Sequence, residues 1–230
     1  MAVLEMDSVT LCWGERTVLS DVYLRCETGR VTGLLGRNGS GKSCLLNILY
    51  GMLEPQSKSV RFNGRAWLSK RRDPRCIRYL PQFGFIPKSL TPRKALTDFS
   101  LGADAFVAWF PGFEKLLDSP LGRLSGGERR TVEVYCILAC RTEFSVLDEP
   151  FAQLTPLCRN RFRELIAQQK RSRGILLSDH LYREVTEISD DVYFVGDTCV
   201  RPVRSPDDLE RFGYVPRRAI DGQNGDGSGR

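Results

Sequence analysis

Hydrophobic residues occur along the chain in short continuous runs and in longer runs where apolar positions recur every three or four residues. The short runs predict strands, because strands of a buried parallel sheet are apolar on both faces. These strands lie at 18–25, 31–35, 76–80, 144–147, 174–178 and 192–195. The longer runs predict helices at 42–52, 126–140, 156–170 and 181–188. Strands that alternate with helices are typical of an α/β fold with a mainly parallel core sheet.

Three stretches depart from this alternation. An apolar run at 60–62 followed by Asn63-Gly64 predicts a hairpin, and hence an antiparallel β subdomain. Residues 87–125 have a helical pattern that prolines interrupt, which predicts a short helical subdomain inserted into the core. The segment 221–230 has four glycines and no apolar side chain. We therefore expect one domain at 1–215 and a disordered tail at 216–230.

The composition indicates a globular protein that does not span a membrane by itself. Of 230 residues, 41% are hydrophobic and 27% charged, and 34 Lys and Arg against 28 Asp and Glu leave a net charge of +6. No apolar stretch approaches the roughly 18 to 20 residues of a membrane helix. No secretory signal is visible, so we expect a cytosolic location. Eight cysteines without C-x-x-C spacing predict buried free thiols, and the single histidine excludes a His-rich metal site.

A glycine-rich loop lies between the strand at 31–35 and the helix that begins at residue 42. Its sequence at 36–43, Gly-Arg-Asn-Gly-Ser-Gly-Lys-Ser, fits the phosphate-loop pattern G-x-x-x-x-G-K-[ST]. Glycines let the backbone wrap around phosphates, Lys42 reaches the β- and γ-phosphates, and the Ser43 hydroxyl ligates Mg²⁺. The alternative is a chance glycine-rich turn. The predicted nucleotide-binding residues are Gly36, Asn38, Gly39, Ser40, Gly41, Lys42, Ser43 and Cys44.

A second candidate element is the strand at 144–147, which ends in two carboxylates followed by proline. Asp148 can hold Mg²⁺, usually through water, and Glu149 can orient or deprotonate an attacking water. Taken alone, a strand that ends in Asp-Glu is most often a solvated turn. Together with the phosphate loop it predicts a nucleoside triphosphatase.

The pentad at 124–128, Leu-Ser-Gly-Gly-Glu, distinguishes among the classes of such enzymes. It resembles the signature motif of the ATP-binding cassette (ABC) family and lies 20 residues before Asp148. The resemblance covers about residues 3–215 and implies a P-loop fold that binds ATP and Mg²⁺. By this resemblance Gln82 is the Q-loop glutamine, His180 the switch histidine and Trp13 the aromatic residue that stacks on adenine.

The resemblance also implies how the site is assembled. ATP would be held between the phosphate loop of one subunit and Ser125, Gly126 and Gly127 of a second subunit, arranged head to tail. A second anion site at a helix N-terminus has a purpose if it serves the nucleotide of a partner. The alternative is that Ser125 is a simple helix cap. The implied catalytic residues are Lys42, Gln82, Glu149 and His180, and the implied metal ligands are Ser43, Gln82 and Asp148.

Some residues depart from the family pattern or have alternative interpretations. Thr155 stands where the family usually has Asp, which affects the expected coupling between the two sites or the rate of hydrolysis. Trp13 could instead be a core aromatic or part of a hairpin turn. Only 42 residues separate Gln82 from Ser125, so the insertion is short for the family.

Local sequence similarity also bears on the partners. The segments 148–152 and 178–184 look most like cassettes of lipopolysaccharide export and branched-chain amino-acid uptake, which dock on separate membrane subunits. We therefore expect an ATPase subunit peripheral to the cytoplasmic face of the inner or plasma membrane. Its expected partners are a permease on another chain and a second copy of itself. The alternatives are a soluble cassette ATPase acting on nucleic acid or the ribosome, and an ATP-gated assembly module that hydrolyses weakly.

The basic run at 70–78 has five Lys or Arg. A solvated loop is the first interpretation, and anionic lipid is the second. Nucleic acid is third and no such partner is expected, because the run lacks interleaved aromatic residues.

Overall fold

A computed structural model describes residues 1–68 and 72–215 of the chain. Its strands are β1 (Val3–Trp13), β2 (Arg16–Glu27), β3 (Val31–Leu35), β4 (Ser57–Phe62), β5 (Arg65–Ala66), β6 (Ile77–Leu80), β7 (Phe144–Asp148), β8 (Gly174–Ser178), β9 (Asp191–Gly196) and β10 (Cys199–Val203). Its α-helices are α1 (Lys42–Tyr50), α2 (Pro92–Asp98), α3 (Ala103–Trp109), α4 (Gly126–Ala139), α5 (Pro156–Gln169), α6 (Tyr182–Ile188) and α7 (Pro206–Arg211). Two 3₁₀ turns, Phe113–Lys115 and Leu121–Arg123, lie between α3 and α4.

The strands form two sheets. The first is antiparallel, with the order β2-β1-β4-β5, and the second has the order β10-β9-β3-β8-β7-β6. In the second sheet all pairs from β9 to β6 are parallel and only β10 is antiparallel to its neighbour. The carboxyl ends of β3, β7 and β8 therefore lie at one edge, where α/β sheets bind their ligands. Asp148 is paired in register with Ser178 across this edge.

Aromatic packing joins the segment between β6 and α4 to the rest of the core. The Phe106 ring on α3 lies 5.0 Å from that of Tyr135 on α4, and the Phe110 ring lies 4.7 Å from that of Phe162 on α5. Phe106, Phe110 and Phe162 are at most 1% exposed. Because these side chains are large and buried, α3 packs as one unit with α4 and α5.

The predicted α/β fold with an antiparallel hairpin is confirmed, since β4 and β5 pair across Asn63-Gly64. Three elements, β1, β10 and α7, had no counterpart in the predictions. In β1 the alternation of buried and exposed positions breaks at Ser8, which has a φ of +53°. The strand therefore lacks a continuous period of two. The predicted tail at 216–230 lies outside the described residues, and the domain boundaries remain predictions.

Two smaller expectations need correction. All eight cysteines are free, but only Cys26, Cys136 and Cys140 are buried, and the other five are partly exposed. In the basic run, Arg72 is not solvated: the residue is 6% exposed, and its guanidinium donates to the carbonyl oxygens of Leu49, at 3.0 Å, and Trp67, at 3.1 Å. No helix within 1–68 and 72–215 is long and apolar enough to cross a bilayer.

Candidate nucleotide-binding site

The phosphate loop connects β3 to α1 in a conformation that needs glycine. Gly39 and Gly41 have φ values of +79° and +103°, a region that residues with a Cβ rarely adopt. At Gly36 the limit is space, because a Cβ would lie 2.4 Å from the backbone oxygen of Val195. The Lys42 ammonium folds over the loop and donates to the carbonyl oxygens of Gly36, at 2.7 Å, and Arg37, at 3.1 Å.

Burial lowers the pKa of Lys42, although Glu149, Asp148 and Asp179 all act in the opposite direction. The direct hydrogen-bond partners of this buried ammonium are the two uncharged carbonyl oxygens. An arriving phosphate would supply the anion that the lysine lacks.

A cavity of about 300 Å³ opens in front of the loop. It is lined by Trp13, Arg16, Val18, Asn38, Gly39, Gly41, Lys42, Ser43, Cys44, Gln82 and Glu149. Trp13 is 57% exposed at the end of the β1–β2 hairpin, so its interpretation as a core aromatic is wrong. Seven of the predicted nucleotide-binding and catalytic residues from the loop and the hairpin thus face one space together with Gln82 and Glu149.

Asp148 ends β7 behind this cavity and is 1% exposed. Its carboxylate accepts hydrogen bonds from the hydroxyls of Ser178, at 2.6 Å, and Tyr79, at 3.3 Å. Within 1–68 and 72–215 no Lys, Arg or His forms an ion pair with it. A buried carboxylate held only by neutral hydroxyls suits a water-coordinated Mg²⁺, whose charge would compensate it. The donor set of Ser43, Gln82 and Asp148, all oxygen ligands, is the kind that Mg²⁺ prefers.

Glu149 follows Asp148 with a φ of +48°. Its backbone amide donates to the backbone oxygen of Ser178 at 3.0 Å, which stabilises this strained conformation. The Glu149 carboxylate accepts a hydrogen bond of 3.0 Å from the Gln82 side-chain amide. Glu149, predicted to activate the attacking water, therefore directly contacts Gln82, predicted as a catalytic residue and metal ligand.

His180 lies after β8, which pairs with β7. Its side chain is 49% exposed and its Nδ1 lies 3.3 Å from Oδ1 of Asp179. The same oxygen accepts the backbone amides of His180, at 2.8 Å, and Leu181, at 3.1 Å. Asp179 is fully buried, and its Oδ2 has no hydrogen-bond partner within 1–68 and 72–215. Burial raises the pKa of its carboxyl. This carboxylate holds the loop that presents the imidazole.

The signature residues lie apart from the cavity at the phosphate loop. Ser125 caps α4 in a capping box with Glu128, as the cap alternative expects. Gly126 lines a different cavity of about 120 Å³. A Cβ on Gly126 or Gly127 would lie 2.7 Å from an oxygen of Gln153, which is a packing reason for both glycines. Four other predicted site residues also do not line the 300 Å³ cavity, namely Gly36, Ser40, Asp148 and His180.

Three residues of the site, Arg16, Val18 and Arg130, were not among the predicted site residues. Arg16 lines the cavity, and its position opposite Trp13 in the hairpin could have indicated this. Arg130 on α4 is 5% exposed and donates to the backbone oxygens of Pro81, at 2.8 Å, Asp148, at 2.8 Å, and Glu149, at 3.0 Å. It therefore joins the strand ends that precede Gln82 and carry Glu149.

Comparisons with known proteins agree with this site. Residues 19–152 match the ABC transporter family. The chain is 30% identical to the lipopolysaccharide export system ATP-binding protein LptB of Haemophilus influenzae, over 94% of this chain and 96% of that protein. It is 33% identical to the energy-coupling factor transporter ATP-binding protein EcfA2 of Streptococcus pneumoniae, over 83% and 77%.

Solved structures share the fold of this chain. A structure described as the ATP-binding subunit of an ABC transporter superposes with a TM-score of 0.76 and 25% identity, covering 92% of this chain and 94% of that one. A dimeric bacterial ABC transporter cassette superposes with a TM-score of 0.75 and 17% identity, covering 88% and 99%. The phosphate loop, the paired carboxylates and these relatives together show that the chain belongs to the ABC transporter family, as an ATP-binding subunit with ATPase activity.

Proposed function

We propose that this ATPase subunit binds ATP with Mg²⁺ at the 300 Å³ cavity and pairs head to tail with a second copy of itself. It then drives a transmembrane permease on a separate chain, from the cytoplasmic face of the inner or plasma membrane. No nucleic-acid partner is part of the proposal. Its main support is that Lys42 and Glu149 face one cavity, while Gly126 of the signature pentad lines a second cavity that has only Gln82 in common with the first.

The residues in and next to the cavity suit hydrolysis of the bond between the β- and γ-phosphates. Lys42 would bind the β- and γ-phosphate oxygens, and Trp13 would stack on the adenine. Glu149 would accept a proton from the attacking water, and His180 would contact the γ-phosphate. Bound Mg²⁺ would neutralise charge on the phosphates, held by Ser43, Gln82 and, through water, Asp148.

The Gln82–Glu149 hydrogen bond suggests how hydrolysis is linked to the partner. While Gln82 donates to the Glu149 carboxylate, the attacking water has to compete for the same oxygen. Gln82 lies between β6 and the helical segment that contains α2 and α3. Movement of that segment against a permease would therefore make or release this hydrogen bond.

Two relatives support the transport role, since one is named for lipopolysaccharide export and the other for an energy-coupling factor transporter. Both are described as ATP-binding proteins, which fits a subunit that relies on another chain for the membrane path. The transported substrate is not part of the proposal.

A complementation experiment tests the shared site. Lys42→Ala disables the phosphate loop, and Ser125→Asp keeps a good helix cap while placing a negative charge where the γ-phosphate of the partner would lie. Each variant alone should be inactive. In a mixture of the two, half of the dimers have one intact site, so about a quarter of the wild-type ATPase rate should return. If the mixture stays inactive, the head-to-tail arrangement is wrong.

Hydrolysis itself is tested with Glu149→Gln, which keeps the size of the side chain but cannot accept the proton. ATP turnover should fall by about a hundredfold or more, while nucleotide binding is retained and ATP-dependent dimers accumulate in size-exclusion chromatography. Equal turnover in the two proteins would refute the catalytic role of Glu149.

The second candidate function is an ATP-gated assembly module that hydrolyses slowly, which the threonine at position 155 favours. The Thr155 hydroxyl accepts the backbone amide of Cys158 at 3.3 Å and caps α5. Thr155→Asp keeps this cap and restores the carboxylate that the family usually has. A slow wild type whose turnover rises severalfold in Thr155→Asp would favour this candidate.

A further inference from the structure

The chain after β10 folds into a segment that returns to the nucleotide site. This C-terminal segment, residues 204–215, contains α7, which begins with a capping box between Ser205 and Asp208. Leu209 of α7 is buried, and its backbone oxygen accepts the amide of Tyr214 at 2.8 Å. The hydrogen bonds within the segment therefore determine where Tyr214 lies.

Aromatic contacts hold the segment against the core sheet. The Phe212 ring stacks on Phe194 of β9 with a centroid separation of 5.4 Å and an interplanar angle of 18°. The Tyr214 ring lies 5.5 Å from the same Phe194 ring, and Phe194 is 4% exposed. Such ring pairs restrict the orientation of the tyrosine.

The C-terminal segment touches both loops that flank the nucleotide. The Arg37 guanidinium, in the phosphate loop, donates to the backbone oxygen of Gly213 at 2.7 Å. The Tyr214 hydroxyl donates to the backbone oxygen of His180 at 3.2 Å. Adjacent residues of one segment thus bridge the phosphate loop and the loop of the switch histidine.

Few other bonds hold His180. Its amide and its imidazole both contact Asp179, its own neighbour in the chain. Within 1–68 and 72–215, Tyr214 is the residue distant in sequence that hydrogen-bonds to it. Because the imidazole is half exposed, the position of the backbone at His180 largely determines where the ring points.

We propose that Tyr214 is a positioning residue for His180: its hydroxyl holds the His180 backbone so that the imidazole is directed towards the γ-phosphate. The Arg37–Gly213 hydrogen bond keeps the same segment at a constant distance from the phosphate loop. This inference rests on the proposed role of His180. Small displacements of a catalytic group lower the rate of the chemical step more than they lower ground-state binding.

The test compares Tyr214→Phe with Tyr23→Phe in the full chain. Tyr214→Phe removes only the hydroxyl and keeps the ring contacts. Tyr23→Phe is the matched control: Tyr23 lies on β2 and does not line the nucleotide cavity, and its hydroxyl donates to a Glu5 oxygen on β1 at 3.0 Å. The kcat of Tyr214→Phe should fall about threefold to tenfold, with the KM for ATP within about twofold. Tyr23→Phe should match the wild type.

A second comparison separates positioning from a general structural effect. In a His180→Ala background, Tyr214→Phe should cause no further fall in kcat, because no imidazole remains to be directed. Arg37→Met, which releases Gly213, should lower kcat in the same direction and serves if Tyr214→Phe does not fold.

An unchanged kcat in Tyr214→Phe would overturn the proposal and leave the role of His180 intact. The same proportional fall with and without His180 would also overturn it, since the effect would then be structural. If His180→Ala itself hydrolyses ATP at the wild-type rate, the proposed role of His180 fails first, and the positioning role fails with it.

Discussion

Replacing Arg130 with Met should show how much of the site depends on one buried cation. The guanidinium donates to three backbone oxygens, of Pro81, Asp148 and Glu149, and lies 3.8 Å from the Glu133 carboxylate. Glu133 is 1% exposed and also accepts the backbone amides of Phe85, at 3.1 Å, and Ile86, at 3.4 Å. Methionine has a similar volume but offers none of these bonds.

The magnitude follows from what is left behind. Burial lowers the pKa of Arg130 and raises the pKa of Glu133, so desolvation outweighs their mutual attraction at this distance. The loss in Arg130→Met is therefore mainly three charge-assisted hydrogen bonds and a buried carboxylate left without its cation. Breaking such a buried pair costs about 3–5 kcal/mol. In a domain of this size the melting temperature should fall by roughly 6–20 °C.

The assay is urea denaturation of four proteins: wild type, Arg130→Met, Glu133→Gln and the double variant. Glu133→Gln keeps an acceptor for both amides but leaves the buried Arg130 with only its three backbone acceptors, so it should lose less than Arg130→Met, about 1–3 kcal/mol. The double variant should be more stable than the sum of the single effects by about 1–2 kcal/mol, because it has no uncompensated carboxylate.

The sign of the pH dependence provides a further check on Arg130→Met. When the folded state raises the pKa of a carboxyl, the protein loses stability as the pH rises through that pKa. Arg130 acts to lower the pKa of Glu133, so its removal raises that pKa further, and the stability deficit of Arg130→Met should be larger at pH 8 than at pH 5. A deficit below about 1 kcal/mol, or strict additivity in the double variant, would refute the reasoning.

Three other changes test separate parts of the site. Trp13→Ala should raise the KM for ATP about threefold to tenfold through the loss of ring stacking, whereas the KM of Trp13→Tyr should stay within about twofold of the wild type. Equal KM values for Trp13→Ala and the wild type in steady-state kinetics would contradict stacking. Gly36→Ala should lose about 1–3 kcal/mol of unfolding free energy in urea denaturation and bind ATP weakly, because its Cβ would lie 2.4 Å from the Val195 backbone oxygen. ATP binding that calorimetry finds unaltered would contradict this prediction. Burial raises the pKa of Asp179, so the wild type loses stability as the pH rises through that pKa. Asp179→Asn should therefore melt above the wild type at pH 7, and the gap should narrow towards pH 4.

The sequence by itself determined the parts of the site whose chemistry is contiguous. The phosphate loop, the carboxylates at 148–149 and the pentad at 124–128 each lie within one short segment. The starts of α1, α4 and α5 were predicted to the residue, since glycine, serine and proline at helix starts act locally. The family resemblance drew on these same segments.

Only the tertiary structure decided which of these segments meet. The Arg130–Pro81 hydrogen bond joins residues 49 apart, and the Tyr214–His180 hydrogen bond joins residues 34 apart. No local sequence pattern predicts either hydrogen bond. An arginine is also compatible with a solvated helix face, and a tyrosine is also compatible with a solvated chain end. The pairing of β7 with β8 brings Asp148 to Ser178, and sheet order depends on packing between distant segments. The chemical groups could therefore be recognised along the chain, whereas the contacts that hold them in position depend on the folded core.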